Sequence, residues 1–222
     1  MWCIPQLDEE YIEKMEDVLA TYEKPLSVQE PVVCLDEKPV TLHQEVREPI
    51  PMQPGQVARR DYEYKRCGTA NVFCAVEPRA GVHFTRATPN RTASQFADFL
   101  QSIANHYAAA ETIHLVMDNL NTHTRKAVVQ RFGKEKGERL WKRFTVHYTP
   151  KHGSWLNQAE VEISLYARQC LGRRRIGDGA LLRKETLAWN RRVNRDQVMI
   201  QWKFTRKKAR LKFGYKITRS RY

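Results

Sequence analysis

Short apolar runs closed by polar turns recur along the chain, and two of them end in an acid. Residues 32–39, VVCLDEKP, carry Asp36 at the end of one run, and residues 113–123, IHLVMDNLNTH, carry Asp118 at the end of another. Such runs predict strands buried on both faces of a sheet, whose terminal acids must be paired, metal-bound or solvated. Leu7, Tyr11, Met15, Val18, Leu19 and Tyr22 recur at helical spacing and predict an acidic helix over residues 7–23. Pro25 and Pro31 bracket a linker, so the folded core is expected to begin near Val32. Prolines 39, 49, 51 and 54 predict an irregular loop or hairpin over residues 37–64.

Residues 71–76 and 82–87 are rich in β-branched and aromatic side chains and flank the turn EPRAG, which predicts an antiparallel hairpin. Thr92 reads as the N-cap of a helix with Phe96, Phe99, Leu100, Ile103, Ala104 and Tyr107 on its apolar face. With the strand ending at Asp118 it makes the crossover that parallel strands need. A helix over 124–132, a strand over 145–149 and a turn over 150–153 follow. Residues 154–170 then read as one helix. At about 100° per residue, Leu156, Ala159, Ile163, Ala167 and Cys170 form a stripe that includes Glu160 and leaves Glu162 on the opposite face. A further helix is expected over 180–194, and the chain ends in a basic tail.

The 222 residues carry a net charge of +13, which points to a polyanionic partner. The charge is polarised: residues 1–30 hold eight acids against two lysines, and residues 164–222 hold eighteen lysines and arginines against three acids. Five cysteines without a C-x-x-C pair argue against a zinc ribbon or a disulfide framework. No segment is apolar enough to span a bilayer and no leader pattern opens the chain, so a cytoplasmic protein is expected. Three carboxylates from two strands and a helix suit Mg²⁺, because hard cations take oxygen ligands. Two ions about 3.5 to 4 Å apart would serve an in-line phosphodiester displacement. Taken singly, Asp118 could cap a turn and Asp36 could pair with Lys38 or an arginine.

CLDEKP around Asp36, the REPIP loop, DYEYKRCGTANVF, MDNLNTHT around Asp118 and HYTPKHGSWLNQAEVEIS around Glu160 occur in this order. Together they resemble the catalytic region of a DDE transposase, in the bacterial insertion-sequence branch of the mariner superfamily. The family pattern places its last acid three residues after an Asn, which Asn157 and Glu160 satisfy. The resemblance implies an α/β fold of ribonuclease H-like type, a mixed sheet flanked by helices. It implies Asp36, Asp118 and Glu160 as catalytic metal ligands, Mg²⁺ (or Mn²⁺) as cofactor, and excision and insertion of a mobile element by hydrolysis and strand transfer.

The partners so implied are double-stranded DNA, as element ends and a TA target, and a second copy of the chain in a homodimer; the setting is the bacterial cytoplasm, at the nucleoid. Family members carry helix-turn-helix segments ahead of the catalytic region. The expectation is therefore either a separate N-terminal DNA-binding protein or a truncated, non-catalytic DNA-binding remnant. The expected divisions are 1–30, acidic helix and linker; 31–172, catalytic domain; and 173–222, basic helical extension. Lys151, His152, Arg173, Arg174, Arg175, Lys207 and Lys208 are the candidate DNA contacts. His123 reads as structural, and Trp141, Trp155, Trp189 and Trp202 read as packing residues.

Overall fold

The computed structural model describes residues 7–216. Its centre is a five-stranded sheet in the order β3-β2-β1-β4-β5, built from β1 (Val32–Glu45), β2 (Tyr64–Glu77), β3 (Val82–Thr88), β4 (Ile113–Met117) and β5 (Phe144–Tyr148). β1, β2 and β3 pair antiparallel, whereas β4 pairs parallel with both β1 and β5. The hairpin and the parallel crossover are as the apolar pattern predicts. Period-two alternation sends Val33, Leu35, Phe73 and Ala75 to one face of the sheet and Cys34, Cys74 and Val76 to the other. Both faces are covered, which is why these strands read as unbroken apolar runs.

On the first face lie α2 (Ala93–His106), α3 (Arg125–Phe132) and α4 (Lys134–Trp141), with Phe96, Phe99, Leu100, Ile103, Val128 and Leu140 in the shared core. α4 has no counterpart in the sequence pattern. Only Gly137 and Leu140 of its eight residues are buried, and Gly137 sits so close to Val129 that a Cβ there would lie 2.6 Å from its Cα. On the second face lie α1 (Glu9–Glu23), α5 (Ala159–Tyr166), α6 (Gly179–Arg195) and α7 (Arg206–Phe213). α1 begins where Asp8 accepts from the Tyr11 amide, and it buries Tyr11, Met15, Val18 and Leu19.

Two expectations are corrected. The segment after Asp36 is not a loop: β1 continues through Pro39, paired with Asn71, as far as Glu45, and only residues 46–63 are irregular. β4 accompanies β1 only over Val32–Cys34, so beyond that point one β1 edge has no strand partner among the described residues. A residue without an N–H is tolerated on such an edge. Asp36 therefore lies within a strand rather than at its end.

The second correction concerns residues 154–170, which form three pieces rather than one helix. A 3₁₀ turn (Ser154–Leu156) is separated from α5 by Asn157, whose backbone is extended, and α5 runs into a π turn (Ala167–Leu171). Each junction resets the angular phase, so a face extrapolated from Leu156 does not hold in α5. Within α5 the buried positions are Ala159, Glu162 and Tyr166, and Glu160 is exposed. The expected burial of the two glutamates is thus reversed.

Candidate active site

Cys34 and Val116 are partners in the parallel β1–β4 ladder; Asp36 lies two residues further along β1, and Asp118 two residues further along the chain, just past the end of β4. The ladder ends at Cys34, so neither acid lies within it. The third acid is delivered by a side-chain staple. Buried Asn157 donates from Nδ2 to the Leu35 carbonyl at 2.8 Å, while its Oδ1 accepts from the Ala159 amide at 3.1 Å. The start of α5 is thereby tied to β1 one residue before Asp36, and Glu160 lies in the first turn of that helix.

The Asp36 carboxyl is pushed up to about 7 by burial, opposed by its hydrogen bond from the Glu37 amide at 2.7 Å and reinforced by the nearby charges of Glu160, Asp118 and Glu37. Glu160 and Asp118 are therefore close enough to act on Asp36 through space. Among the described residues no lysine or arginine forms an ion pair with any of the three. The pairing of Asp36 with Lys38 or an arginine, considered from sequence, does not occur. The described residues contain no group of three potential ligands already drawn together. Even so, three oxygen donors, of which only Asp118 has a cationic partner in the fold, have the chemistry that suits a hard divalent cation.

The sequence reading missed the residue that holds Asp118. His123 is fully buried, faces Asp118 Oδ1 from Nδ1 at 2.6 Å and Glu37 Oε1 from Nε2 at 3.1 Å, and stacks on Phe96 with centroids 4.6 Å apart. Both ring nitrogens meet carboxylates. Burial alone would lower its pKa, but the hydrogen bonds to Asp118 and Glu37 outweigh that and raise it to about 9, so the imidazolium form bridges the two acids. The available signal was alternation: with Asp36 on one face of β1, Glu37 had to face α2, where a buried carboxylate needs a cationic partner.

The candidate DNA contacts separate into two groups. Lys151 and His152 are exposed in the turn 150–153, Arg173 is exposed after the π turn, and Lys207 and Lys208 are exposed on α7. Arg174 instead binds Glu185 at 2.7 Å and the Cys170 carbonyl. Arg175 binds Glu45 at 2.5 Å and the carbonyls of Asp61, Tyr62 and Glu63, and stacks over Tyr64. Its guanidinium is spent inside the fold. The tail is likewise not loose: Arg206 and Arg210 of α7 bind Glu23 and Glu16 of α1 at 2.7 and 2.6 Å. Its last residues, 217–222, lie outside the described residues. No described helix is long and apolar enough to cross a membrane.

Solved structures share this fold. The Mos1 mariner paired-end complex with Mn superposes with a TM-score of 0.56 at 17% identity, over 89% of this chain and 61% of that one. The Mos1 strand transfer complex gives 0.55 at 16% identity over the same shares, 89% and 61%. A pre-cleavage Mos1 transpososome gives 0.55 at 15%, over 89% of this chain and 64% of that one. The chain thus spans about three-fifths of the length of these proteins, and what is shared is the fold, a ribonuclease H-like mixed sheet with flanking helices. No curated protein matches the sequence. The family model described as DDE superfamily endonuclease matches residues 31–183, more than half of the chain and all three acids. The chain belongs to the DDE superfamily of endonucleases.

Proposed function

We propose that the chain is the catalytic part of a DNA transposase of the mariner type, using Asp36, Asp118 and Glu160 to hold Mg²⁺ or Mn²⁺ for phosphodiester hydrolysis and strand transfer. The observation that carries this reading is the position of Asp36 and Asp118, each two residues beyond the last pair of the parallel β1–β4 ladder, with the first turn of the Glu160 helix stapled to β1 by Asn157. The metal, when bound, supplies Lewis-acid stabilisation of charge on the attacking and leaving oxygens. In hydrolysis a water oxygen bonds to phosphorus, the bond to the bridging 3′ oxygen breaks, and a 3′-hydroxyl is left. In strand transfer that hydroxyl takes the place of water.

The chain's own contribution is orientation. His123 fixes the Asp118 carboxylate, Asn157 fixes the first turn of α5, and the β1–β2 ladder fixes Asp36 opposite Cys74. DNA carrying the element's ends is the proposed partner, attracted by the +13 charge. The solved Mos1 complexes, named as paired-end and strand-transfer assemblies, support that partner, and a second copy of the chain is proposed beside it. Residues 31–172 are the proposed catalytic unit.

The test incubates the full chain with a duplex carrying the element's ends and Mg²⁺, with and without any protein encoded just upstream. Strand cleavage that depends on metal and is lost in Asp36→Ala and Asp118→Ala is the expected result. Cleavage that persists in both variants would sink the assignment.

A further inference from the structure

Glu162 has no role in the three-acid reading, yet it is the most thoroughly buried acid near it. Its side chain and that of His83 are both fully inaccessible, with Oε1 2.8 Å from His83 Nδ1. The far nitrogen of His83, Nε2, lies 2.8 Å from the Val198 carbonyl, which can only accept, so Nε2 carries a proton. The contact at Nδ1 then needs one more proton, held by either the imidazole or the carboxyl. The pair is therefore a single hydrogen-bonded unit.

His83 is itself held on every side by α6: its amide donates to Asn194 Oδ1, and its carbonyl accepts from Nδ2 of Asn190 and Asn194, each at 2.9 Å. Glu162 is thus anchored to a node joining β3, α6 and the segment at Val198. Burial, then the Glu162 and Asp36 carboxylates, push up the thiol of Cys74, the β2 residue opposite Asp36.

Burying such a pair is costly. The second oxygen, Glu162 Oε2, has no partner among the described residues, and an apolar pair of similar volume would serve stability at least as well. What the pair offers instead is direction. α5 has only eight residues, with Asn157 as the staple at its start and a π turn at its end. Glu162 is the buried polar contact that its first turn makes beyond the Asn157 staple.

We propose that Glu162 and His83 are positioning residues for the metal site: by locking the rotation of α5 they aim Glu160 at Asp36 and Asp118. This rests on the three-acid reading above. Rotation of α5 by one residue position, about 100°, would carry Glu160 away from the cleft.

The test is Mn²⁺ binding to the full chain, followed by the electron paramagnetic resonance signal of free Mn²⁺ at a temperature where near-ultraviolet circular dichroism shows each variant folded. Wild type is expected to bind Mn²⁺ in a manner lost in Asp36→Asn. Glu162→Gln and His83→Ala are each expected to weaken that binding about tenfold. The double variant should be no weaker than His83→Ala, because the two act as a unit. His83→Asn, whose amide nitrogen falls near the Nδ1 position, should recover part of the affinity. Leu140→Ala, in the core layer on the other face of the sheet, should lose stability without changing it. Should Glu162→Gln fail to fold, the difference between His83→Ala and His83→Asn decides. Folded variants that bind Mn²⁺ like wild type overturn the positioning role and leave the three-acid reading standing. Wild type without binding sensitive to Asp36→Asn overturns that reading and the positioning role together.

Discussion

Along α1, acids meet arginines; around the diverging ends of β1 and β4, acids meet one another. Glu16 and Glu23 each receive a guanidinium from α7, and Glu16 also accepts from the Tyr215 hydroxyl at 2.6 Å. Burial works to raise the Glu16 carboxyl, but the hydrogen bonds from Arg210 and Tyr215 outweigh it and hold the group below its usual range. Asp36 shows the reverse, raised to about 7 by burial, Glu160, Asp118 and Glu37. The first cluster is neutralised within the fold and contributes to its stability. The second has one internal cation, His123 against Asp118 and Glu37, and leaves Asp36 and Glu160 without one, which costs stability and suits a cation from outside.

The sharpest way to break this contrast is to remove a charge from the second cluster. Asp36→Asn is expected to cut metal-dependent cleavage by on the order of a thousandfold, about 4 kcal/mol of transition-state stabilisation, while raising the melting temperature of the metal-free protein. A variant with wild-type cleavage, or a metal-free protein that melts lower, would show that Asp36 is an ordinary structural acid. Next in size is His123→Ala, which leaves Glu37 buried without its cation and releases Asp118. It should cost about 3 kcal/mol of stability, measured by urea unfolding, and weaken Mn²⁺ binding as well. Loss of stability with unchanged Mn²⁺ affinity would remove His123 from the site.

Arg210→Ala sharpens the comparison from the other side. It should cost about 1 kcal/mol, because the pair is partly solvated, or roughly 2 to 4 °C in a chain of this size, and leave Mn²⁺ binding unchanged.

The smallest effect is in acid. Because the folded-state pKa of Glu16 and of Glu23 is depressed, their contribution is present above the unfolded carboxylate value and is lost as pH falls through the folded one. Unfolding free energy should therefore decline below the ordinary glutamate range, and the decline should be shallower in Arg210→Ala. Equal slopes in the two proteins would mean that the α1–α7 pairs do not form in solution.

The hairpin and the parallel crossover were legible because they belong to local patterns: alternation, a turn signal and an apolar run. His123 was not, since its meaning depends on Glu37 from a strand 86 residues away in sequence. Arg175 looked like a surface cation because nothing nearby in sequence shows that Glu45 and the carbonyls of residues 61–63 surround it. The acidic helix and the basic tail read as opposite ends of the chain, yet α1 and α7 pack together through Ala209 and two ion pairs.

By itself the sequence determined the alternation of buried runs, the helices with a continuous apolar face and the polarised charge. Each of these follows from the period of a regular element or from composition, and needs no knowledge of neighbours. Only the tertiary structure decided which glutamate is buried. The extended backbone at Asn157 resets the helical phase, and the Asn157 bond to the Leu35 carbonyl ties the first turn of α5 to β1. A helical period extrapolated across that break keeps its angle but loses its origin, so it assigned Glu162 to solvent where His83 waits in the core.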